Sequence, residues 1–270
     1  MCYFSEVIEI VKMKFTDQTG YSFELPKIPE RIISLVPSQS ELIWDLGLSD
    51  SLIGITKFCI HPKEMFQTIE RIGGTKQIDF EKLRKLKPDL IIGNKEENDK
   101  CQIEVLRRDF PVWLSDVNDL NDAYGMIDAI GKLTGKHDEA SRIIEKIRTA
   151  FGQISNVRLA GKTAAYLMWN EPFMAAAGDT FINAMLCENG IVNVFKNKKR
   201  YPQFELNELQ KEQPDFILLS TEPYPFNLKH VNEIQKICPS SKVILVDGEM
   251  FSWYGSRLRL APDYFNSISY

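Results

Sequence analysis

The sequence predicts an α/β chain of two Rossmann-like lobes, each with a parallel sheet, joined by one long rigid backbone helix. Three observations predict it. Short β-branched apolar runs alternate with segments of helical spacing along most of the 270 residues. A helix, Pro-Asp, strand unit occurs once in each half: Phe80 to Lys87 runs into Pro88-Asp89 and Leu90-Ile91-Ile92-Gly93, and Glu208 to Gln213 runs into Pro214-Asp215 and Phe216 to Ser220. Between the copies, proline-free periodicity places Ile143, Ile144, Ile147, Phe151 and Ile154 on one helical face.

Taken in order, residues 1–30 read as an N-terminal extension with strand character. The first lobe, 31–135, opens on the strand Arg31 to Val36, turns at Pro37-Ser38, and enters a helix over Glu41 to Leu46 that stops at Gly47. Ile53-Gly54-Ile55 is the next strand, followed by a loop with Phe58 and His61-Pro62. Leu120 to Gly135 is helical, and a linking helix over 136–157 leads into the second lobe, 158–270. There, strands over Thr163 to Trp169, Phe216 to Ser220 and Val243 to Asp247 alternate with helices over Thr180 to Asn189 and Leu228 to Ile237.

Composition narrows the function classes. With 44% hydrophobic and 26% charged residues, 15 Gly and 13 Pro, the chain is an ordinary globular protein and not a collagen, coiled coil or disordered segment. Its 33 basic and 37 acidic residues give a formal charge of −4, so no global field draws it to nucleic acid or an anionic membrane, and Lys196-Asn197-Lys198-Lys199-Arg200 reads as a solvated loop. Five cysteines (Cys2, Cys59, Cys101, Cys187 and Cys238) without a C-x-x-C pair argue for reduced, mostly packed thiols. No dinucleotide fingerprint, nucleophile elbow or H-E-x-x-H stands in the chain, and Gly131-Lys132-Leu133-Thr134-Gly135-Lys136 falls one residue short of a phosphate loop. Three scattered histidines, His61, His137 and His230, supply no metal spacing. Catalytic carboxylate pairs stay open at this point, since 37 acidic residues supply many chance pairs and no spacing singles one out.

In parallel α/β sheets ligands sit outside the carboxyl ends of the strands. That rule selects Ser38, Asn94, Trp169-Asn170, Ser220-Thr221 and the loop Gly248 to Arg257. The aromatics Phe58, Trp169, Tyr201, Phe251, Trp253 and Tyr254 fall in loops or at strand ends, where they either face a large apolar ligand or cap a core. Ser38 begins a helix whose N-terminus suits an anion.

Arg31-Ile32-Ile33-Ser34-Leu35-Val36-Pro37-Ser38-Gln39-Ser40-Glu41, Gly54-Ile55-Thr56, Leu83 with Leu86-Lys87-Pro88-Asp89-Leu90-Ile91, and Phe251 with Ser256-Arg257-Leu258-Arg259-Leu260-Ala261 resemble the iron-siderophore and cobalamin class of ABC-importer substrate-binding proteins. The resemblance spans roughly Phe15 to Tyr264. It implies a non-enzymatic solute-binding protein without cofactor, monomeric by default, that captures a metal chelate, a ferric siderophore or a corrinoid, in an interlobe cleft and presents it to a membrane permease. It implies docking through one surface glutamate per lobe: Glu81 fits the first, while in the second Asn207 stands at the matching place with Glu208 beside it and Glu205 nearby. Cobalamin binders of the class carry first-lobe tryptophans where this chain has Thr75 and Asn94, although Phe58 keeps an aromatic. Trp169 and Tyr201 look like the second-lobe aromatic wall; Arg257 matches a basic cleft residue, with an anchor for the last helix as its other reading.

The resemblance implies a periplasmic or membrane-anchored protein. The start, Met1 to Glu6, lacks the basic-then-apolar design of a secretory signal. A mature lipoprotein beginning at Cys2 and a cytosolic relative that modifies, carries or senses a chelate are the two alternatives, and an interaction module without a ligand is a further rival.

Overall fold

The Pro-Asp repeat is one joint built twice. The computed structural model describes residues 13–154 and 159–270. The first half of the chain forms β1 (Met13–Thr16), β2 (Ser22–Leu25), β3 (Ile32–Ser34), α1 (Pro37–Asp45), β4 (Leu52–Ile55), α2 (Lys63–Thr68), β5 (Glu70–Arg71), β6 (Gly73–Gly74), β7 (Gln77–Ile78), α3 (Phe80–Leu86), β8 (Leu90–Asn94), α4 (Lys100–Asp109) and β9 (Val112–Ser115). Helices α5 (Leu120–Leu133) and α6 (His137–Phe151) follow. The second half contributes β10 (Thr163–Trp169), β11 (Met174–Ala175), α7 (Phe181–Glu188), β12 (Val192–Asn193), α8 (Leu206–Glu212), β13 (Phe216–Ser220), α9 (Leu228–Ile237), β14 (Lys242–Val246), α10 (Glu249–Ser252), a 3-10 turn over Ser256–Leu260 and α11 (Ala261–Ser267).

Two compact units result, each with its own sheet and core. Of the described residues, the first takes in those up to Asp116 together with Asp128–Ala140, and the second Val117–Ile127 with those from Ser141 on. In the first, β5-β4-β3-β8-β9 form a wholly parallel sheet. Its strands are near-continuous apolar runs, as burial on both faces demands, and Ile33, Leu35, Leu83, Ile91, Ile103 and Leu106 pack its core. In the second unit β10, β13 and β14 run parallel, β12 joins the amino end of β10, and β11 pairs antiparallel with its carboxyl end. Leu167, Phe195, Phe204, Ile217, Leu219 and Ile234 form that core.

The joint explains why the repeat exists. Helices α3 and α8 each end on a non-glycine residue in the left-handed region, Lys87 at φ 47° and Gln213 at φ 44°, and proline follows. The aspartate then bonds the start of the neighbouring strand. Asp89 accepts from the backbone N–H groups of Glu30 and Arg31, just before β3, at 2.9 Å each. Asp215 accepts from the Thr163 N–H at 2.8 Å and its hydroxyl at 2.9 Å, at the first residue of β10. Each carboxylate thus satisfies donors that a strand's end leaves open.

The linking region departs from the single strut placed at 136–157. Helix α6 ends at Phe151, and residues 155–157 of the expected strut lie outside the described residues. Left-handed Gly135, at φ 68°, breaks the chain between α5 and α6. Gly131 allows close approach there, since a Cβ on it would lie 2.5 Å from that of Ala140. Both helices divide between the units: α5 starts in the second and ends in the first, and α6 does the reverse. Among the described residues no helix is long and apolar enough to cross a membrane.

Candidate functional site

At the carboxyl edge of the first sheet, α1 starts at Pro37, whose fixed φ suits a first helical turn. Ser38 therefore lies inside the helix, one residue along. It is buried, and its hydroxyl has no hydrogen-bond partner among the described residues. Beneath this turn the Cys59 thiol lies 3.1 Å from the Ser40 hydroxyl and 3.2 Å from that of Thr56, and burial raises its pKa.

Phe58 follows β4 on the same edge and is 50% exposed. Lys57 reaches over its ring, with Nζ 5.1 Å from the centroid. The ring also lies close to Gly74, where an added Cβ would meet Phe58 Cε2 at 3.3 Å. Asn94, expected as a ligand contact, is buried and bonded within the fold. Its amide donates to Ser115 Oγ at 2.9 Å, and its carbonyl oxygen accepts from the N–H groups of Glu96 and Glu97 at 2.8 and 3.0 Å. It shapes its loop, since its polar capacity is spent inside the fold.

The carboxyl edge of the second sheet carries Trp169 at the end of β10, 40% exposed. Tyr224 meets it edge-on, with ring centroids 5.9 Å apart, and Phe226 and His230 pack behind Tyr224 at 4.7 and 5.5 Å. His230 caps α9, its Nδ1 accepting from the Asn227 N–H at 3.1 Å. Tyr201 is half-buried in the segment that runs beside β11, with the Arg200 guanidinium 5.8 Å from its ring.

The loop after β14 turns its side chains inward. Phe251 is fully buried against Tyr166, Tyr264 and Phe265, the core-capping arrangement of the two that the sequence left open. Trp253 and Tyr254 are buried too, Tyr254 edge-on to Phe181 at 5.8 Å. Arg257 is only 12% exposed and pairs with Glu249, 15% exposed, at 3.2 Å, while its guanidinium lies 5.2 Å from the Trp253 ring centroid. A guanidinium already paired in a half-dry place anchors the loop and is costly to unpair.

Sequence reasoning missed Glu222 and Tyr224. The strand-end rule stopped at Ser220-Thr221; following the same loop for three more residues finds both. Glu222 accepts from the Ser252 hydroxyl at 2.8 Å and the Trp253 indole N–H at 2.9 Å. Burial, with Glu249 and Asp247 adding repulsion, raises its carboxyl pKa above the ordinary range.

Of the two glutamates expected on the surface, Glu81 is exposed in the first turn of α3. Glu208 is partly exposed and is engaged at home. It accepts from the Glu205 N–H at 3.1 Å and pairs with Lys198 at 3.2 Å, and these bonds lower its pKa.

Among the described residues no group of three or more His, Cys, Asp or Glu is placed to hold a metal ion. His137 is exposed and lies 3.3 Å from Asp128. Cys101 and Cys187 are exposed and Cys238 is buried, so only two of the four described thiols are packed; Cys2 lies outside the described residues.

Comparison with known proteins agrees with this layout. The chain is 26% identical over 224 residues, 79% of each partner, to the vitamin B12-binding protein of Vibrio cholerae. It is 25% identical over 221 residues, 78% of this chain and 69% of the relative, to the uncharacterized ABC transporter substrate-binding lipoprotein YvrC of Bacillus subtilis. A possible iron-binding periplasmic solute-binding protein from Staphylococcus epidermidis has the same fold, with a TM-score of 0.77 over 90% of this chain and 100% of that one at 22% identity. The profile of the family described as periplasmic binding protein matches residues 32–236, three quarters of the sequence, and the chain belongs to that family.

Proposed function

We propose that the chain is a solute-binding protein of an ABC importer, which takes a metal chelate, a ferric siderophore or a corrinoid, at the carboxyl edges of its sheets and hands it on without transforming it. The observation that carries the reading is the pair of exposed aromatics at those edges, Phe58 in one unit and Trp169 in the other. Aromatic faces left in water at the end of a sheet where ligands sit are a surface for a flat or apolar solute. The partly buried Arg257–Glu249 pair favours a neutral chelate, because an acidic group would have to compete with Glu249.

Docking to the permease would rest chiefly on Glu81. Lys198 has already neutralised Glu208, so that position offers a partner's arginine less. The relatives' names place them in the periplasm or on a lipid anchor, and an exported role for this chain follows the same reading.

The test is a tryptophan-fluorescence titration with cobalamin, haem, and ferric hydroxamate and catecholate siderophores. Trp169 is the exposed tryptophan at the site, so saturable quenching by one class is expected in the wild type and should fall to under about half in Trp169→Phe, because a buried indole responds less to a surface ligand. No response to any of them refutes the reading.

A further inference from the structure

Arg257 and Trp253, the loop residues picked out for charge and apolar contact, are each held by a carboxylate, Arg257 by Glu249 of the same loop and Trp253 by Glu222. Glu222 comes from the loop after β13. Its Oε1 takes both the Trp253 indole N–H and the Ser252 hydroxyl, at 2.9 and 2.8 Å. Gly248 gives it room: a Cβ there would lie 2.5 Å from Glu222 Cγ and 2.4 Å from Ser220 Oγ, so the loop can lie over the glutamate only with a hydrogen at that position. Over the face of the indole lies the guanidinium of Arg257, 5.2 Å from the ring centroid and fixed by Glu249 at 3.2 Å. The groups facing the Glu222 carboxyl are Asp247, Glu249 and, from β10, Tyr166, with Arg257 over the ring.

We propose that Glu222 is the positioning residue of this edge: its carboxyl fixes the plane of Trp253, and through the stacked ring the place of Arg257, and so sets the form in which residues 248–257 meet a solute. The inference rests on the solute-binding reading, but its own test needs no solute. A carboxylate that accepts two hydrogen bonds holds an indole far more rigidly as an anion than after protonation. Since burial lifts the carboxyl pKa, mild acid loosens the ring before ordinary glutamates titrate.

The experiment is near-ultraviolet circular dichroism of the full chain, with Trp253→Phe used to identify the Trp253 band. Glu222→Ala should reduce that band at least about twofold, while Glu222→Gln, which keeps an acceptor oxygen, should retain most of it. In the wild type the band should fall with acid at a midpoint above the ordinary glutamate range, and this titration should vanish in Glu222→Gln. A folded Glu222→Ala protein with an unchanged Trp253 band overturns the proposal. If Glu222→Ala does not fold, a wild-type band indifferent to acid overturns it equally. With a ferric hydroxamate as probe, Glu222→Ala should bind about tenfold more weakly and Glu222→Gln within about twofold of wild type. A wild type that binds none of the chelates refutes the solute-binding reading, and the spectroscopic result still decides the role of Glu222.

Discussion

Replacing Asp215 by asparagine tests whether the repeated Pro-Asp joint holds the second sheet. The native carboxylate takes three donors: Lys162 Nζ at 2.7 Å, the Thr163 N–H at 2.8 Å and the Thr163 hydroxyl at 2.9 Å. Led by the bond from Lys162, they hold its pKa at about 2, against 3.8 for a free aspartate. At face value a shift of that size corresponds to about 2.5 kcal/mol. The side chain is 35% exposed, so solvent screening reduces the ionic part to about 1 kcal/mol. An amide in place of the carboxylate also turns an NH₂ toward one of these donors, which costs about 1 kcal/mol more. The variant should therefore lose about 1–2 kcal/mol at neutral pH. Because the native pKa lies below the unfolded one, the contribution is complete above about pH 4 and disappears as pH falls through about 2. Urea unfolding of wild type and Asp215→Asn at pH 7, repeated near pH 2.5, reads both effects. A gap under about 0.5 kcal/mol at pH 7, or one that stays constant into acid, would refute the argument.

Other outcomes follow from the same coordinates. Asp17 is buried and accepts from the N–H groups of Thr19, Tyr21 and Leu114 and from Arg107 at 2.8 Å, so Asp17→Ala should cost about 2–3 kcal/mol by leaving three N–H donors unmet and Arg107 with only Glu104, at 3.3 Å, among the described carboxylates, with faster amide exchange at Tyr21 and Leu114 as the local sign. In proteoliposomes holding the importer, Glu81→Lys should cut solute-stimulated ATP hydrolysis about tenfold or more, and Glu208→Lys by no more than about threefold, because Lys198 has already offset Glu208. Equal losses in the two would remove the distinction drawn between these glutamates.

Much of the fold could be read from the chain because its joints are marked by residues with one physical meaning. Proline after α3 and α8 ends both helices, and the apolar runs after them have no polar alternation to confuse with a surface strand. The β1–β2 hairpin was less legible: Asp17 fixes its turn through Arg107 and the backbone of Leu114, about ninety residues on, and no local pattern announces such partners. The site divided in the same way. Strand ends point to the edge at which Trp169 is exposed, but exposure depends on what packs behind. Phe251 and Trp253, two residues apart in one loop, are both buried by side chains from β10, α11 and the loop after β13. Glu222 went unnoticed because a lone glutamate in a loop has no signature until the indole it holds is seen.

The exchange of Val117–Ile127 and Asp128–Ala140 between the units bears on how the gene could be divided. The backbone passes from one unit to the other three times, at Asp116 to Val117, Ile127 to Asp128 and Ala140 to Ser141. No single cut yields both units whole: a break at the first crossing strips the amino-terminal fragment of the later part of α5 and the start of α6, and a break at the last leaves the carboxy-terminal fragment without the segment that opens α5. A split reporter or a minimal one-lobe binder made from this protein would need that segment transplanted or the chain circularly permuted, and a protease nick between α5 and α6 would leave each product holding part of the other's core.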